Sequence, residues 1–191
     1  MTEPRRRSMP TIIPALRRLE DIPRLPPGDG LRWVFMLGGT LSTVPEAVRT
    51  LHQRGWRVFV HVDMLRGLTA DGEGLKFLQQ VIRPEGIITT HSQTVTQAKK
   101  VGLFTIQRIF LLDSQSVATG VAQVRAAAPD AVETLPGILP GITRDICRQV
   151  TCPVIAAGLI QNPEQVENML AVGAASISTS TPTLWHWQRG G

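Results

Sequence analysis

At 191 residues, with 42% apolar and 18% charged side chains, the chain can bury one substantial core and has the balance of a folded globular protein rather than a disordered one. No apolar run reaches bilayer-spanning length, and no apolar stretch follows Arg5-Arg6-Arg7 before Pro10, so neither a membrane helix nor a secretory signal is expected and the chain reads as cytoplasmic. The net charge of +5 comes from seventeen arginines and three lysines; arginine suits bidentate contact with phosphate or carboxylate, which leaves RNA and acidic metabolites open as partners.

Residues 1–8 read as a frayed, arginine-rich segment ahead of one domain over 9–187. From there one pattern repeats: a short apolar or β-branched run, a turn, an amphipathic stretch, then glycine or proline. The runs are Thr11–Ile13, Trp33–Leu37, Val58–Val62, Gly86–Thr89, Leu103–Ile109, Ala131–Leu135, Val154–Ala157 and Ala175–Ser178, at the spacing one βα unit needs. Helix starts are marked between them. Thr43-Val-Pro-Glu46 has the form of a capping box before Ala47–Gln53, closed by Gly55. Asp113-Ser114 is placed to cap Val117–Ala127, with Pro129 stopping it. Asn162-Pro163-Glu-Gln165 sets a cap, a first-turn proline and a glutamine that reaches back, and Thr181-Pro182 repeats the cap-then-proline signal. Eight strands alternating with seven or eight helical connections predict a parallel sheet, and eight is the number that closes a (β/α)8 barrel. An open doubly wound sheet is the alternative, without a Gly-x-Gly-x-x-Gly fingerprint to support it.

Barrel sites lie at the carboxyl ends of the strands. Polar residues predicted there are His61 and Asp63 after the third strand, Thr89 and Thr90 after the fourth, Gln107 and Arg108 in the fifth, Glu133 in the sixth, Gly158 after the seventh, and Thr179 and Ser180 at the eighth. His61 and Asp63, two apart in a strand, face one side. They converge at the mouth if that side is the interior, or form a structural pair in which Asp63 caps the next loop. No third ligand has metal-site spacing. Arg108 and Glu133 fall on adjacent strands, either as an ion pair that fills the barrel or as groups that meet a polyol phosphate. Periodicity leaves open whether Gln107 or Arg108 points inward.

The last two strand-to-helix turns carry the most explicit signal. Ala157-Gly158-Leu159-Ile160 leads to one capped helix and Ser178-Thr179-Ser180-Thr181 to another, the arrangement of a recurrent barrel phosphate site. The segment Leu135-Pro136-Gly137-Ile138-Leu139-Pro140-Gly141 reads as two turns around an exposed Ile-Leu, either a plain connection or a loop that covers a ligand or meets a partner. Cys147 and Cys152 fit neither a disulfide framework nor a zinc pattern and read as small buried thiols. Nucleophile elbows, paired carboxylates and a strand-end lysine are missing, and all three lysines fall in helical stretches, against aldolase chemistry. An enzyme acting on a small phosphorylated substrate, with His61 or Asp63 as acid or base, is kept as the alternative function, and an assembly module with no ligand as a third.

The segments His61-Val-Asp63-Met-Leu-Arg-Gly67, Gly86-Ile-Ile-Thr-Thr90, Gln107-Arg-Ile-Phe-Leu-Leu-Asp113, Glu133-Thr-Leu-Pro-Gly137, Ala157-Gly-Leu-Ile160 and Thr179-Ser-Thr-Pro-Thr-Leu-Trp185 occur in this order. In that order they resemble the glycerol uptake operon antiterminator family, from about Ile12 to Trp185. The resemblance implies a cytosolic barrel with no resident cofactor that binds glycerol 3-phosphate as effector and acts on an mRNA leader to let polymerase pass a terminator. It implies that His61, Asp63, Arg108, Glu133, Gly137, Gly158 and Thr179 line the ligand pocket, and it leaves homo-oligomerisation open. The chain departs from the family pattern at Arg66, His91, Ala157 and Gln161-Asn162-Pro163.

Overall fold

Runs such as Val154–Ala157, apolar at every position, can be stable only where both faces of a strand are covered. The computed structural model, which describes residues 9–188, meets that requirement with a closed barrel; the segment 1–8, expected to be frayed, lies outside the described residues. The barrel strands are β1 (Ile12–Leu16), β2 (Trp33–Met36), β3 (Arg57–His61), β4 (Gly86–Thr89), β5 (Phe104–Phe110), β6 (Ala131–Leu135), β7 (Val154–Ala157) and β8 (Ser176–Thr179). All eight run parallel, each beside its sequence neighbours, and β1 pairs with β8 to close the ring.

Three predicted strands match end for end and the others shift by a few residues. The largest change is β1, which runs through Pro14 to Leu16, with Pro14 in register with Thr179. Outside the barrel, the two-residue strands Gly39–Thr40 and Leu65–Arg66 pair with each other across the turns that follow β2 and β3.

The helices are α1 (Val44–Gln53), α2 (Gly72–Phe77, continued by a π turn over Leu78–Ile82), α3 (Ser92–Lys100), α4 (Ser114–Ala127), α5 (Pro140–Gln149) and α6 (Pro163–Ala171). Among the described residues the β1–β2 connection and the segment after β8 hold only 3-10 turns, Leu19–Arg24 and Pro182–Leu184, which is how so short a chain closes eight strands.

Two of the caps form as predicted. Asp113 accepts from Ser116 N–H at 2.7 Å while Ser116 Oγ accepts from Asp113 N–H at 3.0 Å. Asn162 accepts from Gln165 N–H at 3.0 Å, although Gln165 Oε1 reaches back to Gln161 N–H rather than to Asn162. The Thr43 box does not form. Thr43 is already helical (φ −105°, ψ −32°), its hydroxyl accepts from Thr40 N–H at 3.0 Å inside the preceding turn, and Glu46 pairs with Arg49.

The segment after β6 also differs from its prediction. Pro140-Gly141 is the first turn of α5, and Ile138 and Leu139 are half-buried against neighbouring apolar clusters instead of exposed. Cys147 and Cys152 are half-buried rather than buried, at the edge of the α4–α5 cluster, where burial pushes the Cys147 thiol pKa up.

The lumen is layered. Trp33, Phe35 and Phe59 with Ile13, Ile88, Ile106 and Ile155 fill its amino-terminal half, and Phe104 packs against them. The Trp33 and Phe59 rings lie 4.3 Å apart between centroids, and Phe104 meets both edge-on at 5.3 and 5.6 Å. This apolar layer closes the lumen beneath the polar carboxyl-terminal half. Phe59→Ala is expected to lower stability by about 3–5 kcal/mol, read from the urea unfolding midpoint, because the ring is held on several sides and the cavity cannot collapse.

Candidate functional site

Alternation along each strand selects what enters the mouth. In β5, Ile106 faces the lumen and Ile109 the helices, so Arg108 points inward and Gln107 outward, where its Nε2 donates to Ser92 Oγ on α3 at 2.9 Å. In β6 the same phase turns Ala131 and Glu133 inward. Arg108 and Glu133 are in register, and Arg108 Nε donates to Glu133 Oε2 at 2.7 Å with the side chains 8% and 0% exposed. The other carboxylate oxygen, Glu133 Oε1, is buried without a hydrogen-bond partner among the described residues.

His61 ends β3 beside this pair. It is 3% exposed, and its Nδ1 is likewise buried without a partner among the described residues. Burial, then the Arg108 charge, lower its pKa to about 4 against the opposing pull of Asp63, so the imidazole is neutral at physiological pH.

Asp63 lies past the strand end, in the 3-10 turn Val62–Met64, rather than on a strand two residues from His61 as predicted. It accepts from Thr89 Oγ1 at 2.7 Å, Thr90 N–H at 2.7 Å and Thr90 Oγ1 at 2.8 Å, tying the β3 and β4 turns together. Burial pushes its carboxyl pKa up, but the Thr90 and Thr89 hydrogen bonds and His61 outweigh burial and hold it below the usual range.

A cleft of about 610 Å³ opens over the rest of the mouth. Of the predicted site residues, Arg108, Glu133, Ala157, Gly158, Thr179 and Ser180 line it. His61, Asp63 and Thr90 are not in its lining; Thr90 and Arg108 border a second cleft of about 440 Å³ above β5 and α4.

Gly137 is also outside the lining and acts on the wall from behind. A Cβ there would stand 2.5 Å from Ala157 N, and its own N–H donates to Gly158 O at 3.0 Å, so it lets the β6 turn press against β7. Gly158 (φ 78°) and Leu159 (φ 61°) are both left-handed, rare for leucine, and swing the β7 turn over the mouth. Thr179 is buried, its hydroxyl donating to Ile160 O at 2.9 Å and accepting from Thr181 N–H at 3.1 Å, which braces the β7 and β8 turns against each other.

Sequence reasoning missed Arg17 and Met64 in the lining. The phase of β1 signals Arg17, two residues past inward-facing Ala15, but only once the strand is carried through Pro14.

The family model for the glycerol-3-phosphate responsive antiterminator matches residues 12–185. The chain belongs to that family. A solved relative, the glycerol uptake operon antiterminator regulatory protein of Listeria monocytogenes, is 34% identical with a TM-score of 0.87, covering 93% of this chain and 96% of its own. A glycerol uptake operon antiterminator-related protein of Thermotoga maritima is 32% identical with a TM-score of 0.83, covering 94% and 99%. An uncharacterized protein of Escherichia coli K12, YgcP, is 30% identical over 81% of each chain. An aldolase at 15% identity and a TM-score of 0.68 shares the fold alone. The chain shares the (β/α)8 frame with these two solved relatives. Among the described residues no three His, Cys, Asp or Glu side chains group as a metal site, and no helix is long and apolar enough to cross a membrane.

Three outcomes follow from the buried groups. As pH falls from about 6.5 to about 4, the unfolded chain takes up a proton that folded His61 refuses, so this group removes about 3 kcal/mol of stability across that window. The His61 ring signals should stay in the neutral form down to about pH 5 in an NMR titration; a midpoint near 6.5 would contradict the burial. Glu133→Ala strands Arg108 in the lumen and is expected to cost about 3–5 kcal/mol in urea unfolding, with Glu133→Gln costing less.

Proposed function

We propose that the chain is a cytoplasmic sensor that binds glycerol 3-phosphate in the mouth cleft and, through that ligand, controls antitermination on the mRNA of glycerol-catabolic genes. The observation that carries this reading is Glu133 Oε1: a buried carboxylate oxygen with no partner among the described residues, on the wall of a cleft bounded by the β7 and β8 turns. An unmet buried acceptor costs on the order of 1–3 kcal/mol, which a hydroxyl of a polyol entering the cleft would recover. The left-handed pair Gly158-Leu159 and the hydroxyl-rich Ser178–Thr181 segment supply the kind of turn that holds a phosphoryl group, and family membership supports the regulatory role.

For the ligand to act as a signal it must bind one conformation better than another. The β7 and β8 turns, joined by Thr179 and Thr181 to Ile160 O, are the elements that such binding would set.

Calorimetry with glycerol 3-phosphate should give a saturable heat, no product on prolonged incubation, and a higher melting temperature, worth about 2.7 kcal/mol when ligand exceeds Kd a hundredfold. Leader-RNA affinity should change with the ligand and fall with added salt. No heat and no thermal shift at millimolar ligand would overturn the reading, and steady product formation would favour the enzyme instead.

A further inference from the structure

The cleft needs a positive charge to hold a phosphomonoester, and the arginine that sequence reasoning put there does not provide one. Arg108 is held by Glu133 at 2.7 Å, so that pair sums to zero within the lumen. His61 is neutral at physiological pH, and Asp63 is turned to Thr89 and Thr90.

Among the described residues one other cation lines the cleft. Inward-facing Ile13 and Ala15 set the phase of β1, and the next residue in that phase is Arg17, just beyond the strand. Its side chain is exposed and, among the described residues, makes no ion pair or hydrogen bond. Four other surface cations are ion-paired: Arg24, Arg32, Arg49 and Lys76 each pair with an acid three residues away.

Barrel closure decides where Arg17 stands. Pro14 is in register with Thr179, so continuing both chains toward the rim brings Arg17 to the side where Ser180 and Thr181 emerge, and all three line the cleft. A guanidinium without a hydrogen-bond partner among the described residues, sharing its cleft with Ser180 and a left-handed Gly158-Leu159 pair, matches a tetrahedral dianion.

We propose that Arg17, together with the turns after β7 and β8, forms the subsite for the phosphoryl group of the ligand, and that Arg108 belongs to the frame of the lumen instead. The inference rests on the mouth cleft being the ligand site and adds the residue that carries the charge. The recognised chemistry is a phosphomonoester or free phosphate, and the probes separate them.

The experiment is calorimetry on the full chain with glycerol 3-phosphate, inorganic phosphate and glycerol, for the wild type, Arg17→Met, Arg17→Lys and the neighbouring Arg18→Met. Melting curves without ligand check folding, which an exposed side chain should not disturb. Arg17→Met is expected to bind glycerol 3-phosphate about 30-fold more weakly, Arg17→Lys to fall between, and Arg18→Met to stay within about twofold of wild type. If Arg17→Met binds glycerol 3-phosphate as the wild type does, the charge assignment falls while the ligand reading stands. If the wild type ignores glycerol 3-phosphate but binds phosphate in a manner lost in Arg17→Met, the subsite stands and the polyol reading falls. Binding of none of the three probes overturns both.

Discussion

Closure of the ring by β1 against β8 is the constraint on which the site depends. Ile12, Ile13 and Pro14 stand in register with Ile177, Ser178 and Thr179, with Ser176 Oγ donating to Pro10 O at 2.7 Å and Ile177 N–H to Thr11 O at 2.8 Å. Joining strands at opposite ends of the chain carries a loop-closure cost that grows only slowly with length, so distance in sequence is a modest penalty beside the lumen it creates. The segment after β8 secures the seam: Trp185 is buried against the α1–α2 side of the core, and its Nε1 donates to Thr179 O at 3.0 Å. Without this pairing there would be an open sheet with two bare edges, and the β1 and β8 turns would not share a rim.

Inside the ring, chemistry changes with depth. The aromatic and aliphatic plug around Trp33 and Phe59 fills the lumen from below, and His61, Arg108 and Glu133 sit above it in surroundings that favour neutral or paired forms. This explains the division of labour around the mouth. The β5–β6 pair gives the lumen a fixed polar wall, Asp63 ties β3 to β4, and Thr179 ties β8 to β7. The cleft lies where such ties leave room, between the turns of β7, β8 and β1.

How much of this was legible in the chain depended on the range of the interaction. The caps at Asp113 and Asn162 are contacts within four residues, and both form. Thr43 carried the same local signature, yet its hydroxyl was taken by Thr40, a competitor from a turn that the pairing of Gly39–Thr40 with Leu65–Arg66 shapes from a distance. The predicted first strand, Thr11–Ile13, stopped short of Pro14, a residue that removes a ladder donor, and the barrel nevertheless carries the strand to Leu16. That single misplacement hid Arg17. Arg108 and Glu133 were recognisable as a cross-strand pair from their positions in adjacent strands, while the inward turn of Arg108 over Gln107 was not, because both faces of β5 are buried.

The sequence by itself determined the alternation of strand and helix, the strand number, the polar residues at the strand ends and the family, since these follow from local periodicity, short-range capping and motif order. Tertiary structure alone decided which side of each strand faces the lumen, that Arg108 is neutralised by Glu133, and that Arg17, just past the first strand, and Ser180, just past the last, line one cleft. The physical reason is that inward and outward faces of a doubly covered strand have the same apolar character, so only the register imposed by closing the ring distinguishes them.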